Sequence, residues 1–448
     1  MGICLSTMKQ GEYTITHHRY LACLQSILPV TDHSFLSVIE EDIGTDIDAL
    51  YQRLIHGQTR ITTSFPLNAI EVYMYAGVIG LHYGPHSPQF QTITDSLVTY
   101  SNVDMYWLGV AVEGLYTSVT QPVAYQTSFS ARDVLTIPNT CSILILSDFA
   151  TGLRRSEVVL QEARRLCPTA HLVIHGGDTY YSGSRKEQET NLIQPLKTYF
   201  PHAMIRCLRG NHDLYSGPEG FAYVQESIQQ PSTYFSVSND YFLIQGMDTS
   251  LYDPNPLQEG KVMVSLLPAE AKWHSDRIQH ATQQGKKVLV MSHHEPLTWN
   301  DSVGVYKGKS PAVNMELYRQ LEEVIPSIDA YYFGHQHGFM LYQDYTYRNG
   351  PTLKKPRLIG HGGCPVMSNQ TLETLYTPPT TPYDTSMMDV PQLVQGPDWR
   401  LRHNGSVIDT GFVMMTCDKD QIRADYYTIH STALDVYEQA VCVYSETL

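Results

Sequence analysis

Residues 171–183 read HLVIHGGDTYYSG: an apolar run, two glycines, then a carboxylate followed by two phenols. Leu172, Val173 and Ile174 fit a short strand buried on both faces, and the paired glycines let the chain turn sharply after it. Asp178 therefore stands on a loop just past a strand end. The same grammar recurs on either side. SILILSDFATG (142–152) ends its apolar run at Asp148, CLRGNHD (207–213) at Asn211, His212 and Asp213, VLVMSHHEP (288–296) at His293 and His294, and YYFGHQH (331–337) at His335 and His337 around Gln336. Hard oxygen donors and imidazoles gathered at one sheet edge can hold two cations about 3.5–4 Å apart, a spacing that clamps a phosphate. The pattern implies a two-metal hydrolase.

The runs SILILS, HLVIH, AMIRCL, YFLIQG, KVLVMS and DAYYFG are interspersed with helical stretches such as RRSEVVLQEARRL and LPAEAKWHSDRIQHATQQG. Such alternation predicts an α/β fold with ligand groups on loops leaving the carboxyl ends of strands. PRLIGHGG, DTGFVMMTC and QIRADYYTI read as later strands of a second sheet, and the stretch 371–397, rich in Pro, Thr and Tyr, as a long loop. Ahead of the motifs, TDIDALYQRLIH places Ile47, Leu50, Tyr51, Leu54 and Ile55 at helical spacing. HHRYLACLQSIL is a weaker helix candidate, while 67–83 and 103–118 are apolar and Tyr-rich, strand or buried helix. Residues 1–138 are thus expected to form an N-terminal accessory or cap region, 139–430 the catalytic domain and 431–448 a C-terminal tail.

DFATG, GDTYYSG, GNHDLYSG, SHHEP and GHQHGF resemble, in order and chemistry, the five metal-binding blocks of the calcineurin-like metallophosphoesterase superfamily over roughly residues 141–340. The resemblance implies a two-sheet β-sandwich flanked by helices, and a dinuclear centre that hydrolyses phosphomonoesters or diesters. Most members carry Asp-x-His in the first block, whereas Ala150 holds the third position here. The second block is similar instead to the purple acid phosphatase branch, whose first block is Asp-x-Gly and whose tyrosine binds ferric iron. Matched block to block, Asp148, Asp178, Tyr181 and His337 would hold one metal, and Asp178, Asn211, His294 and His335 the other, with Asp178 bridging. His293 and His294 compete for one position; Pro296, two residues on, favours His294, which leaves His293 behind it or against the substrate. A phenolate ligand favours a hard trivalent ion, Fe(III) paired with Fe(II), Mn or Zn. His212, beside Asn211 but not itself an expected ligand, would give the leaving alkoxide its proton, with Asp213 orienting the imidazole. His361 in GHGG and Arg209 are candidate phosphate contacts.

A formal charge of −15 over 448 residues counts against nucleic acid as a main partner and against docking on acidic membranes. The partner expected is a phosphorylated substrate, small molecule or phosphoprotein. The eight cysteines are scattered without a Cys-x-x-Cys pair, the pattern of free thiols in a reducing compartment, so a cytoplasmic location is expected. No transmembrane span or secretory leader is apparent, although Met1-Gly2-Ile3-Cys4-Leu5-Ser6 fits an N-myristoylation pattern with Cys4 open to a second acyl chain. Two rivals accompany the main reading: a protein phosphatase whose N-terminal region selects the partner, and a metal-poor relative acting as a scaffold. The loss of a ligand at Ala150 suggests the latter; the intact Asn211-His212-Asp213 and His335-x-His337 count against it.

Overall fold

A computed structural model describes residues 46–56, 67–84, 86–95, 104, 106, 109–110, 134–255, 262–299, 303–365, 376, 388–395, 399–402, 408–433 and 435–448. The acylation pattern, the helix candidate HHRYLACLQSIL and most of the stretch 371–397 lie outside these residues. The amphipathic segment forms the helix Ile47–Ile55, with Asp46 accepting from Asp48 N at its start and Ile47, Leu50 and Leu54 buried. Leu67–Tyr83, ambiguous from its apolar run, is a helix.

Two sheets carry the rest. The first has the order β1 (Val134–Thr136), β5 (Phe235–Ser238), β6 (Phe242–Met247), β7 (Lys287–Ser292), β8 (Ala330–Phe333), β12 (Pro356–Ile359) and β9 (Phe339–Leu341). The second has the order β17 (Val441–Thr447), β14 (Gln421–Ile429), β13 (Thr410–Asp418), β2 (Thr140–Leu146), β3 (Leu172–His175) and β4 (Met204–Cys207). Two short ladders join β10 (Tyr345–Thr346) to β11 (Thr352–Leu353) and β15 (Ser431–Ala433) to β16 (Val436–Tyr437). Within each sheet the strands that deliver the motifs run parallel: β2, β3 and β4 in one, β6, β7, β8 and β12 in the other. Their carboxyl ends therefore share an edge.

Strand periodicity explains how the sheets are covered. Cys141, Ile143 and Ile145 of β2 point into the core between the sheets, with Val413, Met415 and Tyr426 on their own side and Val290, Tyr332 and Leu358 opposite. Leu144 and Leu146, the alternate residues, face Val158, Val159 and Ala163 of the helix Arg154–Leu166 on the outer face. The helix Pro268–Gln283 lies against β6 and β7 on the other outer face. The α/β, two-sheet architecture is as expected.

The C-terminal residues depart from expectation. Residues 431–448 are not a tail: β17 extends the second sheet, paired antiparallel with β14, and Leu448 is buried. Glu446 of β17 receives both Arg357 Nε and Nη2 at 2.8 Å from β12, and Tyr426 Oη at 2.6 Å. That buried cluster ties one sheet to the other.

Candidate metal centre

Every motif residue leaves a parallel strand within a few residues of its carboxyl end. Asp148 follows β2, Asp178 follows β3, Asn211 follows β4, His293 follows β7 and His335 follows β8. Asp148, Asp178 and His335 adopt positive φ values of 56°, 71° and 69°, a left-handed conformation that costs about 1–3 kcal/mol at such residues and persists where the surroundings enforce it. Enforcement is visible. Asp178 N and Gly210 N both donate to Asp213 Oδ2, at 2.9 and 2.7 Å, and Gln188 Nε2 donates to Asp213 Oδ1 at 2.6 Å. A Cβ on Gly210 would overlap Asp178 Oδ1, so only glycine lets the third loop approach this closely.

On one side, Asn211 Oδ1 lies 3.2 Å from His293 Nε2 and 3.1 Å from His335 Nδ1, while Asp178 Oδ1 is 3.4 Å from the same His293 nitrogen. The amide is fixed in this orientation because Asn211 Nδ2 donates to Tyr215 Oη at 2.6 Å. His293 Nδ1 donates to the Gly176 carbonyl at 3.0 Å, so Nε2 is the nitrogen left facing the acceptors, the arrangement typical of a metal-ligating histidine. On the other side, Tyr180 Oη lies 2.7 Å from His337 Nε2, 3.1 Å from Asp178 Oδ2 and 3.3 Å from Asp148 Oδ1. Ligand atoms of Asp148, Asp178 and His293 fall within 4.8 Å of one another, and so do those of His293, His294 and His335.

The electrostatics fit a cation at each crossing. One phenol proton cannot serve three acceptors around Tyr180 Oη, and acceptors converge likewise on His293 Nε2. Burial, with Asp178 adding to it, raises the Asp148 carboxyl to about 7. Burial also pushes Asp178 upward, but the neighbouring His293 and His212 outweigh it and hold Asp178 well below the carboxylate range. His293 answers in kind: burial opposes its charge, yet Asp178 raises it to about 10. The Asp178 carboxylate 3.4 Å away thus favours a positive charge at His293. A metal ion would take over that role with more charge to offer.

Several residues sit elsewhere than the sequence suggested. Tyr181 does not face the aspartates; its Oη donates to Asp104 Oδ2 at 2.6 Å, and Tyr180 takes the place facing them. His294 has Nδ1 3.0 Å from Thr249 Oγ1 and Nε2 3.6 Å from Asp253 Oδ2 and belongs, with His293 and His335, to one group that could hold a metal ion, while His293 is the member of the pair that also faces Asn211 and Asp178. His212 does face the site, Nε2 3.9 Å from Asp178 Oδ2. However, its Nδ1 donates to the Tyr181 carbonyl at 2.7 Å, and Asp213, spent on the two backbone amides, does not orient it. Arg209 is no phosphate contact: its guanidinium pairs with Asp248 in the interior. Neither is His361, which is buried, stacks on Phe339 at 4.8 Å and lies 3.4 Å from the Tyr427 carbonyl. Ala150 is buried and bridges to Thr179, offering no donor. Asp253, missed in the sequence because no block announces it, is buried beside His294, where burial and then Asp178 raise its carboxyl to about 7.

Residues 141–339 match the family model of the calcineurin-like phosphoesterases, so the resemblance read from the five blocks holds across that span. No curated protein matches the chain. The solved structures that match the chain do so at low identity. They include a purple acid phosphatase from yellow lupin (Lupinus luteus) seeds, with 13% identity, 69% of this chain and 54% of that one covered, and a TM-score of 0.42. A dimetal phosphatase from Danio rerio has 11% identity, coverage of 68% and 99%, and a TM-score of 0.39. GAP50, the anchor in the inner membrane complex of Plasmodium, has 10% identity, coverage of 69% and 88%, and a TM-score of 0.42. The chain spans about half the length of the lupin enzyme. Among the described residues no helix is long and apolar enough to cross a membrane.

Proposed function

We propose that the chain is a dinuclear metal-dependent phosphoesterase that cleaves phosphomonoesters or diesters. The observation carrying this reading is the convergence of two buried carboxylates, an amide oxygen, three imidazoles and a phenol from five loops at the carboxyl ends of strands in both sheets. One metal would be held by Asp148, Asp178, Tyr180 and His337, the other by Asp178, Asn211, His293 and His335, with the two oxygens of Asp178 turned one to each group. Asp suits the bridge because it offers a lone pair to each cation while offsetting their charge; Asn211 adds a neutral donor and leaves its metal more electrophilic. A tyrosine ligand favours Fe(III) on the first side, with Fe(II), Mn or Zn on the second. When bound, such a pair supplies Lewis acidity, lowering the pKa of a water and neutralising phosphoryl oxygens.

The protein's own residues do the rest. Donation from His212 Nδ1 to the Tyr181 carbonyl sets the ring so that Nε2 carries the exchangeable proton on the side of Asp178. A proton at Nε2 can pass to the departing alkoxide. Asp213 keeps Asp178 in its strained conformation and so sets the bridge.

A metal-poor scaffold has no use for this arrangement, since burying Asp148 and Asp178 side by side disfavours folding unless a cation compensates. Protein purified without chelator should hold close to two metal equivalents and hydrolyse 4-nitrophenyl phosphate, and Asp178→Asn should lose both properties. Full turnover in metal-free protein would sink the reading.

A further inference from the structure

One further loop reaches the metal centre without carrying any of the five blocks. β6 runs parallel to β7, so their carboxyl ends lie side by side, and residues 248–253, DTSLYD, follow β6. Thr249, fully buried, accepts from His294 N at 3.1 Å through Oγ1, which also lies 3.0 Å from His294 Nδ1. Asp253 Oδ2 stands 3.6 Å from the opposite ring nitrogen, and neither that nitrogen nor Asp253 Oδ1 has a hydrogen-bond partner among the described residues. The imidazole held in this way packs against those of His293 and His335, with ring centres 4.9 and 4.5 Å away. The same loop grips the chain just ahead of Asn211: the Arg209 guanidinium donates to Asp248 Oδ2, and Ser250 Oγ donates to the Arg209 carbonyl at 2.6 Å. Asp248 N in turn donates to Glu270 Oε1 at 2.8 Å, which fastens the loop to the helix Pro268–Gln283.

We infer that the loop Asp248–Asp253 is the positioning element of one metal group and not of the other: it sets the His294 ring and the approach of Asn211, and with them the affinity of the Asn211, His293 and His335 group for its cation. The inference rests on the dinuclear reading above. Selectivity comes from where the contacts go. Those of Thr249 and Asp253 reach the His293–His294 loop and those of Asp248 and Ser250 the Asn211 loop, and none of them touches Asp148, Tyr180 or His337 on the other side. Groups that orient metal-binding imidazoles from behind typically govern metal affinity by tenfold to a hundredfold. The unpartnered atoms of Asp253 and His294 point the same way, since leaving buried polar atoms unpaired is costly and a nearby cation offsets that cost.

Calorimetric titration of chelated full-length protein with zinc chloride tests the role. In a His337→Ala background the remaining binding step reports the Asn211 group, and in an Asn211→Ala background it reports the other. Thr249→Val removes the hydroxyl at nearly constant shape; it should weaken the first of these steps about ten- to a hundredfold and leave the second unchanged, and Thr249→Ser should restore the first. Should Thr249→Val fail to fold, Asp253→Asn takes its place with the same expected pattern. Equal weakening of both steps marks a general structural role and overturns the inference, as does an Asn211-group step that does not change. A wild-type protein that binds fewer than two zinc ions overturns the dinuclear reading and this role with it, whereas two wild-type ions without a selective loss overturn the role alone.

Discussion

Two adjacent tyrosines, 180 and 181, divide the work of one loop. The Tyr180 hydroxyl sits among Asp148, Asp178 and His337, while the Tyr181 hydroxyl turns away to Asp104. If Tyr180 is the phenolate ligand, protein expressed with iron should show a visible charge-transfer band that vanishes in Tyr180→Phe and survives in Tyr181→Phe; the reverse pattern would refute the assignment. His212 allows a second separation. Because it is outside both ligand groups, His212→Ala should keep the metal content yet slow alkyl phosphates by about 10²–10⁴. Turnover of 4-nitrophenyl phosphate, whose leaving group needs no proton, should fall much less. Full activity of His212→Ala on an alkyl ester would remove the proton-donor role. At this scale the sequence was informative about chemistry and blind to direction. The block carrying Tyr180 and Tyr181 and the pair His293 and His294 supplied candidate donors, but which member of each pair faces Asp178 depends on loop dihedrals that residue type alone leaves undetermined. Asp213 misled for a related reason: a carboxylate next to a histidine suggests a partner for the ring, and the loop instead turns it onto backbone amides.

Strands with strong apolar runs, such as SILILS and KVLVMS, were legible because burial on both faces leaves them little polar sequence. β17 was not, since Val441–Thr447 is an edge strand with much of its length exposed and no clear alternation. What anchors it is polar. Arg357 and Glu446 meet with side chains only 3% and 8% exposed, joining β12 of one sheet to β17 of the other. Burial alone would raise the Glu446 carboxyl, but the Arg357 hydrogen bonds and charge outweigh it and hold the group below its ordinary 4.5. A depressed folded pKa means stability that is present above pH about 4.5 and is lost as pH falls through the folded value. Glu446→Gln leaves Arg357 buried without its countercharge, a change expected to cost about 3–5 kcal/mol at neutral pH. Denaturant titrations should show that gap at pH 7 and its closure well below pH 4. A gap unchanged in acid would mean that packing, not charge, holds the two sheets at this point.

Among the described residues, several strongly shifted ionisable groups of the metal-free protein gather at the candidate centre, and pH exposes them. In that state Asp148 and Asp253 are raised to about 7 and His293 to about 10. A group with a raised folded pKa binds protons in the native state that the unfolded chain has released, so stability declines as pH rises through the folded value. His294, His335 and His337 are lowered, chiefly by burial; they oppose this trend only below about 6.5, where the unfolded chain still protonates them. The two carboxylates contribute their decline up to about pH 7, and above it His293 is the one of these groups that still holds a proton the unfolded chain has released. Chelated protein should therefore lose thermal stability steadily from about pH 7 to 9. On the proposed function, two cations would replace the protons that His293 and Asp148 otherwise retain, and ligands that bind only the folded state add about 2.7 kcal/mol each at a hundredfold excess over Kd. Metal-loaded protein should accordingly melt several degrees higher at pH 7, with the difference widening toward pH 9. Calorimetric melts of chelated and reloaded samples across that range measure it, and parallel curves would mean that these loops hold no ion in place of those protons.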